Sequence, residues 1–205
     1  MVERARIGPL DHLGLAARAG EPGGAGVWLG ERRFRAMLNL RGDPGSAEFL
    51  QAAEGALGLA LPVAANTVTR AGDLAVLWLG PDEWLVLGPP GAEAELEAKL
   101  AEVVGPQGGC VTDVGESRTT IVVSGPKARD VLAKGCPLDL HPLAFDEAAC
   151  AQSLVGPVGV ALCRAPTGPA DPPRFELIVL RSFADFLWRF LEDAGQEYGV
   201  AVVEG

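Results

Sequence analysis

Little in this sequence is cationic, aromatic or paired in cysteine, and each shortage closes off a class of function. Its 205 residues carry 17 lysines and arginines against 27 aspartates and glutamates, a formal net charge of -10. No Lys/Arg cluster is long enough to neutralise several phosphates in a row, so neither nucleic acid nor anionic membrane is expected as a partner. The acidity reads as solubility. Four cysteines, Cys110, Cys136, Cys150 and Cys163, stand far apart with no Cys-x-x-Cys pair, and only His12 and His141 are there to join them. Zinc sites bring ligands in close pairs, so no structural metal is expected; the thiols read as reduced and mostly buried in a cytoplasmic protein. Met1 to His12 has basic residues without an apolar stretch behind them, and no apolar window approaches the roughly 18 residues of a membrane span.

What is present is an ordinary globular mixture, 48% apolar and 21% charged, with aromatics at only 6%, so the core is aliphatic. Residues 1–26, rich in Gly and Arg, read as an N-terminal arm that precedes the fold or lies over a partner. Residues 27–205 read as a single domain. Alternation over Arg33–Arg41 predicts a half-buried strand, with Phe34, Ala36, Leu38 and Leu40 inward and Arg33, Arg35 and Asn39 outward. Ser46 caps a helix carrying Phe49, Leu50, Ala53 and Leu57, ended by Gly58. A hairpin follows, Leu74–Leu79 and Trp84–Leu87 about a Gly80-Pro81-Asp82 turn, then a helix through Leu96, Leu100, Val103 and Val104.

A second half starts with a strand at Cys110–Val114. Strands at Ser117–Val123, Ala151–Val155, Val158–Arg164 and Arg174–Leu180 follow, with a helix opened by Ser124-Gly125-Pro126 after the first of them. Ser182 is expected to cap a last helix whose stripe is Phe183, Phe186, Leu187, Phe190, Leu191 and Ala194. Trp188 falls outside that stripe, where either a neighbouring loop or another protein must cover it. The unit Trp84 to Leu100 repeats in outline at Phe175 to Leu191. The fold class is therefore α+β: antiparallel or mixed sheets with covering helices, in two related hairpin–helix halves.

No catalytic set is visible. Gly-x-Ser-x-Gly, the phosphate-binding Gly-x-x-x-x-Gly-Lys, His-Glu-x-x-His and a Gly-x-Gly-x-x-Gly between strand and helix are all missing. Cys136 lies past a helix C-terminus, where the dipole disfavours a thiolate. His141 has Asp139 nearby but no nucleophile, and reads as a loop histidine bonded to backbone. Asp82-Glu83 and Glu192-Asp193 read as solvated surface. The expected framework has no pocket, and its use lies in docking.

Several stretches carry a resemblance: Asn39-Leu40-Arg41-Gly42-Asp43, Leu79 through Pro89, Asp113 through Pro142, Cys150-Ala151-Gln152-Ser153 and Phe175 through Tyr198. Together, over residues 34–200, they resemble the gamma subunits of heterotetrameric sarcosine oxidase. That resemblance implies a non-catalytic accessory role beside alpha, beta and delta subunits, with alpha as the main contact. It implies no cofactor in this chain, while FAD, FMN, NAD and tetrahydrofolate sit on the larger subunits. It also implies a fold similar to the folate-binding module of the glycine-cleavage T-protein. Against that module's folate site, Asp73 matches one of two aspartates, but Gly72 stands at the other; the expected asparagine falls near Pro89. Glu176 matches the glutamate of its Gly-Tyr-Glu strand, but Pro172-Pro173 replaces the preceding Thr-Gly-Glu. Asp73 and Glu176 are thus vestigial folate-site candidates, and the alternative they leave open is a free-standing folate-binding or one-carbon transferase module. A third reading is a T-protein-like scaffold in another dehydrogenase. Trp188, Pro166, Pro172 and Pro173 are the candidate partner contacts.

Overall fold

A computed structural model describes residues 6–205; Met1 to Ala5, the first part of the expected arm, lie outside the described residues. Two sheets stack face to face and each carries helices on its outer face. The smaller sheet is built from β2 (Ala36–Arg41), β3 (Val68–Ala71), β4 (Leu74–Gly80), β5 (Glu83–Gly88) and β6 (Cys110–Asp113), in the order β3-β4-β5-β2-β6. The larger is built from β1 (Val27–Arg32), β7 (Arg118–Ser124), β8 (Cys150–Val155), β9 (Val158–Ala165), β10 (Arg174–Leu180) and β11 (Val200–Val202), in the order β11-β1-β7-β10-β9-β8. All pairings are antiparallel except β1 with β11.

Helices α2 (Ala47–Leu57) and α3 (Glu93–Val104) cover the small sheet; α4 (Ala128–Ala133) and α5 (Ala184–Gly195) cover the large one. The α+β class and the two hairpin–helix units are as expected. Each half runs strand, helix, three strands, helix, strand; in the second, β1 is inserted between β7 and β11.

Alternation along the strands sorts apolar residues into separate layers. Leu38, Leu40, Val76, Trp84 and Val86 face α2 and α3, while Met37, Ala75, Leu77, Leu85 and Leu87 meet Cys150, Cys163 and Ile178 between the sheets. Phe175, Leu177 and Val179 of β10 face the other way, into the core under α4 and α5. A strand buried on both faces reads as a continuous apolar run, so the expected half-exposed β2 is corrected: Ala36, Met37 and Leu38 are all buried. Ser46 caps α2 as expected, its Oγ accepting from the Phe49 N–H, and Gly58 closes the helix in the left-handed region.

Several expectations fail. β1, β3 and β11 have no counterpart in the sequence reading, and β6 completes the first sheet instead of opening the second half. Ser182 caps nothing; it sits in a 3-10 turn, Arg181–Phe183, ahead of α5. The segment before β1 is anchored too: Leu10 is fully buried in the large core, and α1 (Leu15–Arg18) follows it.

The outward placement of Trp188 is overturned, because it is fully buried in the core beneath α5. The inward face of α5 is Ala184, Leu187, Trp188, Leu191, Ala194 and Gly195. Small residues let the helix approach the sheet; a Cβ on Gly195 would stand 2.6 Å from Val200 Cγ2. That turns the phenylalanines aside. Phe190 packs on Gly135 and Gly156, whereas Phe183 and Phe186 remain about half exposed, at 48% and 49%.

Candidate functional site

The layer between the sheets is apolar along most of its length and charged at one end. On β10 the side chains facing the small sheet are Arg174, Glu176 and Ile178, so the carboxylate of Glu176 lies beside Cys163 in an otherwise apolar layer. An isolated carboxylate there would protonate. Two arginines prevent it. Arg32, at the end of β1, donates Nη1–H to Glu176 Oε1 at 2.6 Å, and Arg35, just ahead of β2, donates Nη1–H to Oε2 at 2.9 Å. Burial pushes the Glu176 carboxyl pKa up, but Arg35 and Arg32 outweigh it and hold the pKa below the usual carboxylate range. Arg35 and Glu176 are both almost fully buried, at 4% and 2% exposed.

The turn that delivers the two arginines is tight, and Phe34 between them takes a left-handed backbone with φ of 54°. This breaks the alternation predicted from Arg33 onward, and Arg35 points inward instead of to solvent. Around the pair opens a cleft of about 460 Å³, lined by Arg32, Arg35, Arg70, Arg174, Asp73 and Glu176 among others. The expectation of a framework without a pocket is therefore corrected. So is the expectation that no cationic cluster exists: Arg32 and Arg35, on either side of the β1–β2 turn, meet Arg70 of β3 and Arg174 of β10, which are distant in sequence.

Both carboxylates suggested by the T-protein comparison line this cleft, but differently. Glu176 is buried at its base; Asp73, in the β3–β4 turn after Gly72, is exposed at its rim. A pterin ring presents N–H donors along one edge and needs acceptors opposite. Here each Glu176 oxygen already accepts from an arginine, Asp73 stands exposed at the rim, and the other polar side chains of the lining are guanidinium donors. The cleft does not fit a pterin, and no step through folate is derived.

The other candidates separate from the cleft or vanish. Pro166 is exposed on its edge, and Pro172 and Pro173 are half-buried in the same loop. Trp188 has no accessible surface and offers none to a partner. His141 is an exposed loop residue whose Nδ1 accepts from the Leu143 N–H, while Asp139 accepts from the His141 backbone N–H. Asp82 and Glu83 pair with Arg41 on the surface, and Glu192 pairs with Arg18. Cys136 is buried, and Cys150 and Cys163 face one another across β8 and β9. Burial pushes the Cys150 and Cys163 thiols up to about 12 and about 11, so neither is a nucleophile near neutral pH. Among the described residues, no group of three or more His, Cys, Asp and Glu side chains is placed to hold a metal ion, and no helix is long and apolar enough to cross a membrane.

The family model described as the sarcosine oxidase gamma subunit family matches residues 41–197. The chain is similar to sarcosine oxidase subunit gamma of Corynebacterium sp. (strain P-1), 37% identical over 94% of this chain and 91% of that one. It superposes on a chain of the heterotetrameric sarcosine oxidase of Corynebacterium sp. U-96 with a TM-score of 0.83 and 32% identity, covering 97% and 98% of the two chains. The glycine cleavage aminomethyltransferase T of Bartonella henselae has a TM-score of 0.62 at 18% identity, with 96% of this chain lying on 51% of that one, and it shows the shared T-protein-like fold.

Proposed function

Because the chain belongs to the sarcosine oxidase gamma subunit family, we propose that it works as the non-catalytic gamma subunit of a heterotetrameric sarcosine oxidase. The assembly demethylates sarcosine to glycine, reduces oxygen to hydrogen peroxide and passes the one-carbon unit to tetrahydrofolate. In this reading the flavins, NAD and folate belong to the alpha and beta subunits, and the main contact is with alpha. The observation that carries it is the end-to-end superposition on a chain of such an assembly, with 97% of this chain covered. The chemistry agrees: burial holds the Cys150 and Cys163 thiols protonated, and His141 has no nucleophile to serve.

The surface for docking moves from Trp188 to its neighbours. Leu180, Phe183 and Phe186 are 43%, 48% and 49% exposed at one end of α5, and large apolar side chains left half bare in sequence succession are the usual mark of a covered surface. The proline loop of Pro166, Pro172 and Pro173 supplies a second, rigid contact. Co-expression with alpha, beta and delta subunits, followed by size exclusion, tests the proposal. The expected result is one species containing all four chains in equal numbers; elution of this chain by itself in every condition overturns it.

A further inference from the structure

We infer that the arginine cleft between the sheets binds a small oxyanion, a carboxylate or a phosphate. The inference rests on this chain's own side chains and not on its place in an assembly. Four arginines line the cleft, Arg32, Arg35, Arg70 and Arg174, against two carboxylates, Asp73 and Glu176. Among the lining side chains the cations thus outnumber the carboxylates by two, in a protein whose formal net charge is -10. Solubility gives no reason to gather cations in a concave, half-buried place, because guanidinium groups repel one another and burial lowers the pKa of both Arg35 and Arg174.

The hydrogen bonds point the same way. Glu176 engages Arg32 and Arg35 through one nitrogen each. Arg35 is only 4% exposed, and its Nε is buried without an acceptor. Arg70 donates from Nη2 to the Arg164 carbonyl at 2.8 Å, and its Nε also lacks an acceptor. Arg174, across the cleft on β10, makes no ion pair among the described residues. Buried donors without acceptors are rare in folded proteins, and these two belong to arginines that line one cleft together with the unpaired Arg174. Guanidinium forks match the planar carboxylate and the phosphate oxygens alike. A cleft of about 460 Å³ is within the range of small-molecule sites. The donor set that turns away a pterin edge is the one that accepts an anion.

Calorimetry and thermal unfolding of the full chain, near neutral pH and with ionic strength held constant by sodium chloride, test this with two probes: inorganic phosphate and succinate. At least one of them is expected to bind in a 1:1 ratio and raise the unfolding midpoint above the chloride reference. Binding of phosphate alone assigns the site to phosphoryl groups, of succinate alone to carboxylates, and of both to either class. Arg174→Ala should weaken binding about tenfold to a hundredfold, the loss of one charge-assisted hydrogen bond or two. Arg189→Ala, on the outer surface of α5, should leave it unchanged. If Arg174→Ala does not fold, Arg174→Lys and Arg70→Gln provide the same comparison, each weakening binding while the circular dichroism spectrum is kept. No binding of either probe above chloride, or equal binding by wild type and the folded cleft variants, overturns the assignment.

Discussion

The cleft and the flank of α5 invert the usual arrangement of a soluble protein in opposite directions. In the cleft, charge is buried: Glu176 and Arg35 are nearly inaccessible in a layer otherwise made of Met37, Leu77, Leu87 and Ile178. On the helix flank, apolar surface is bare: Phe183 and Phe186 stand half exposed beside a core that had room for Trp188. Neither arrangement improves the stability of the free chain. A buried ion pair is often no better than a hydrophobic pair of equal volume, and bare phenylalanines gain nothing from water. The two regions also differ in what they can do. Fixed charges with empty hydrogen-bonding positions select a small ligand, whereas apolar side chains on a helix select a surface. Keeping them apart lets one protein carry both without conflict.

The largest effect should come from breaking the buried pair on one side only. Glu176→Ala leaves Arg32 and Arg35 unmatched and should destabilise the chain by about 3–5 kcal/mol in urea unfolding. Replacing Arg35 and Glu176 together by Met and Leu should restore most of that loss. The pair also sets an acid limit. The native Glu176 pKa is depressed, so its stabilisation is complete above the unfolded carboxylate pKa of about 4.3 and is lost as pH falls through the lower native value. Wild type should therefore lose more stability between pH 5 and the acid transition than the Met/Leu double variant, as read from unfolding midpoints across that range (roughly one pH unit either side of the free carboxylate value). Parallel profiles for the two proteins would show that other carboxylates dominate.

Trp188→Ala tests the helix side of the comparison. If the indole belongs to the core, truncation should destabilise by about 3–5 kcal/mol, toward the low end because its Nε1 has no hydrogen-bond partner to lose. A change below about 1 kcal/mol would return Trp188 to the surface.

These two regions also mark where the sequence was legible. Elements whose signals are local were readable: the Ser46 cap, the Gly80-Pro81-Asp82 hairpin and the β9 and β10 strands all stand as expected. The strands that were missed, β1, β3 and β11, are short or join a distant partner; β11 pairs with β1 across nearly the whole chain. The resemblance singled out Glu176 as a candidate, but not its arginine partners. Arg35 looked like the outer face of an alternating strand, and only the left-handed Phe34 turns it inward. Arg70 and Arg174 carry no sequence signal linking them. In α5, counting by hydrophobicity put three phenylalanines on the core face, whereas the closest approach to the sheet is set by Ala184, Ala194 and Gly195. Small residues define a tight helix–sheet contact, and a scale that scores only apolar bulk overlooks them.

A smaller effect, about 1 kcal/mol, is expected from Ser46→Ala, which removes the 3.1 Å bond from the Phe49 N–H to Ser46 Oγ far from both regions. Its ligand and partner affinities should be those of wild type, so it calibrates how much a plain loss of stability perturbs either function.

Phe186→Glu should have the smallest effect on the free chain and the most telling one on the assembly. The side chain is 49% exposed, so a charge there keeps its hydration and the unfolding free energy should stay within about 0.5 kcal/mol of wild type. Seated against another subunit, the same carboxylate must be stripped of water with no partner, and affinity should fall by about tenfold or more in a binding titration with the co-purified large subunits. Anion binding in the cleft should not change, since Phe186 lies on the opposite side of the large sheet from Glu176. An intact assembly with Phe186→Glu would clear this flank and leave the loop of Pro166, Pro172 and Pro173 as the contact. A parallel loss of anion binding would mean instead that the two regions are coupled through β10, whose alternate side chains face the cleft on one side and the α5 core on the other.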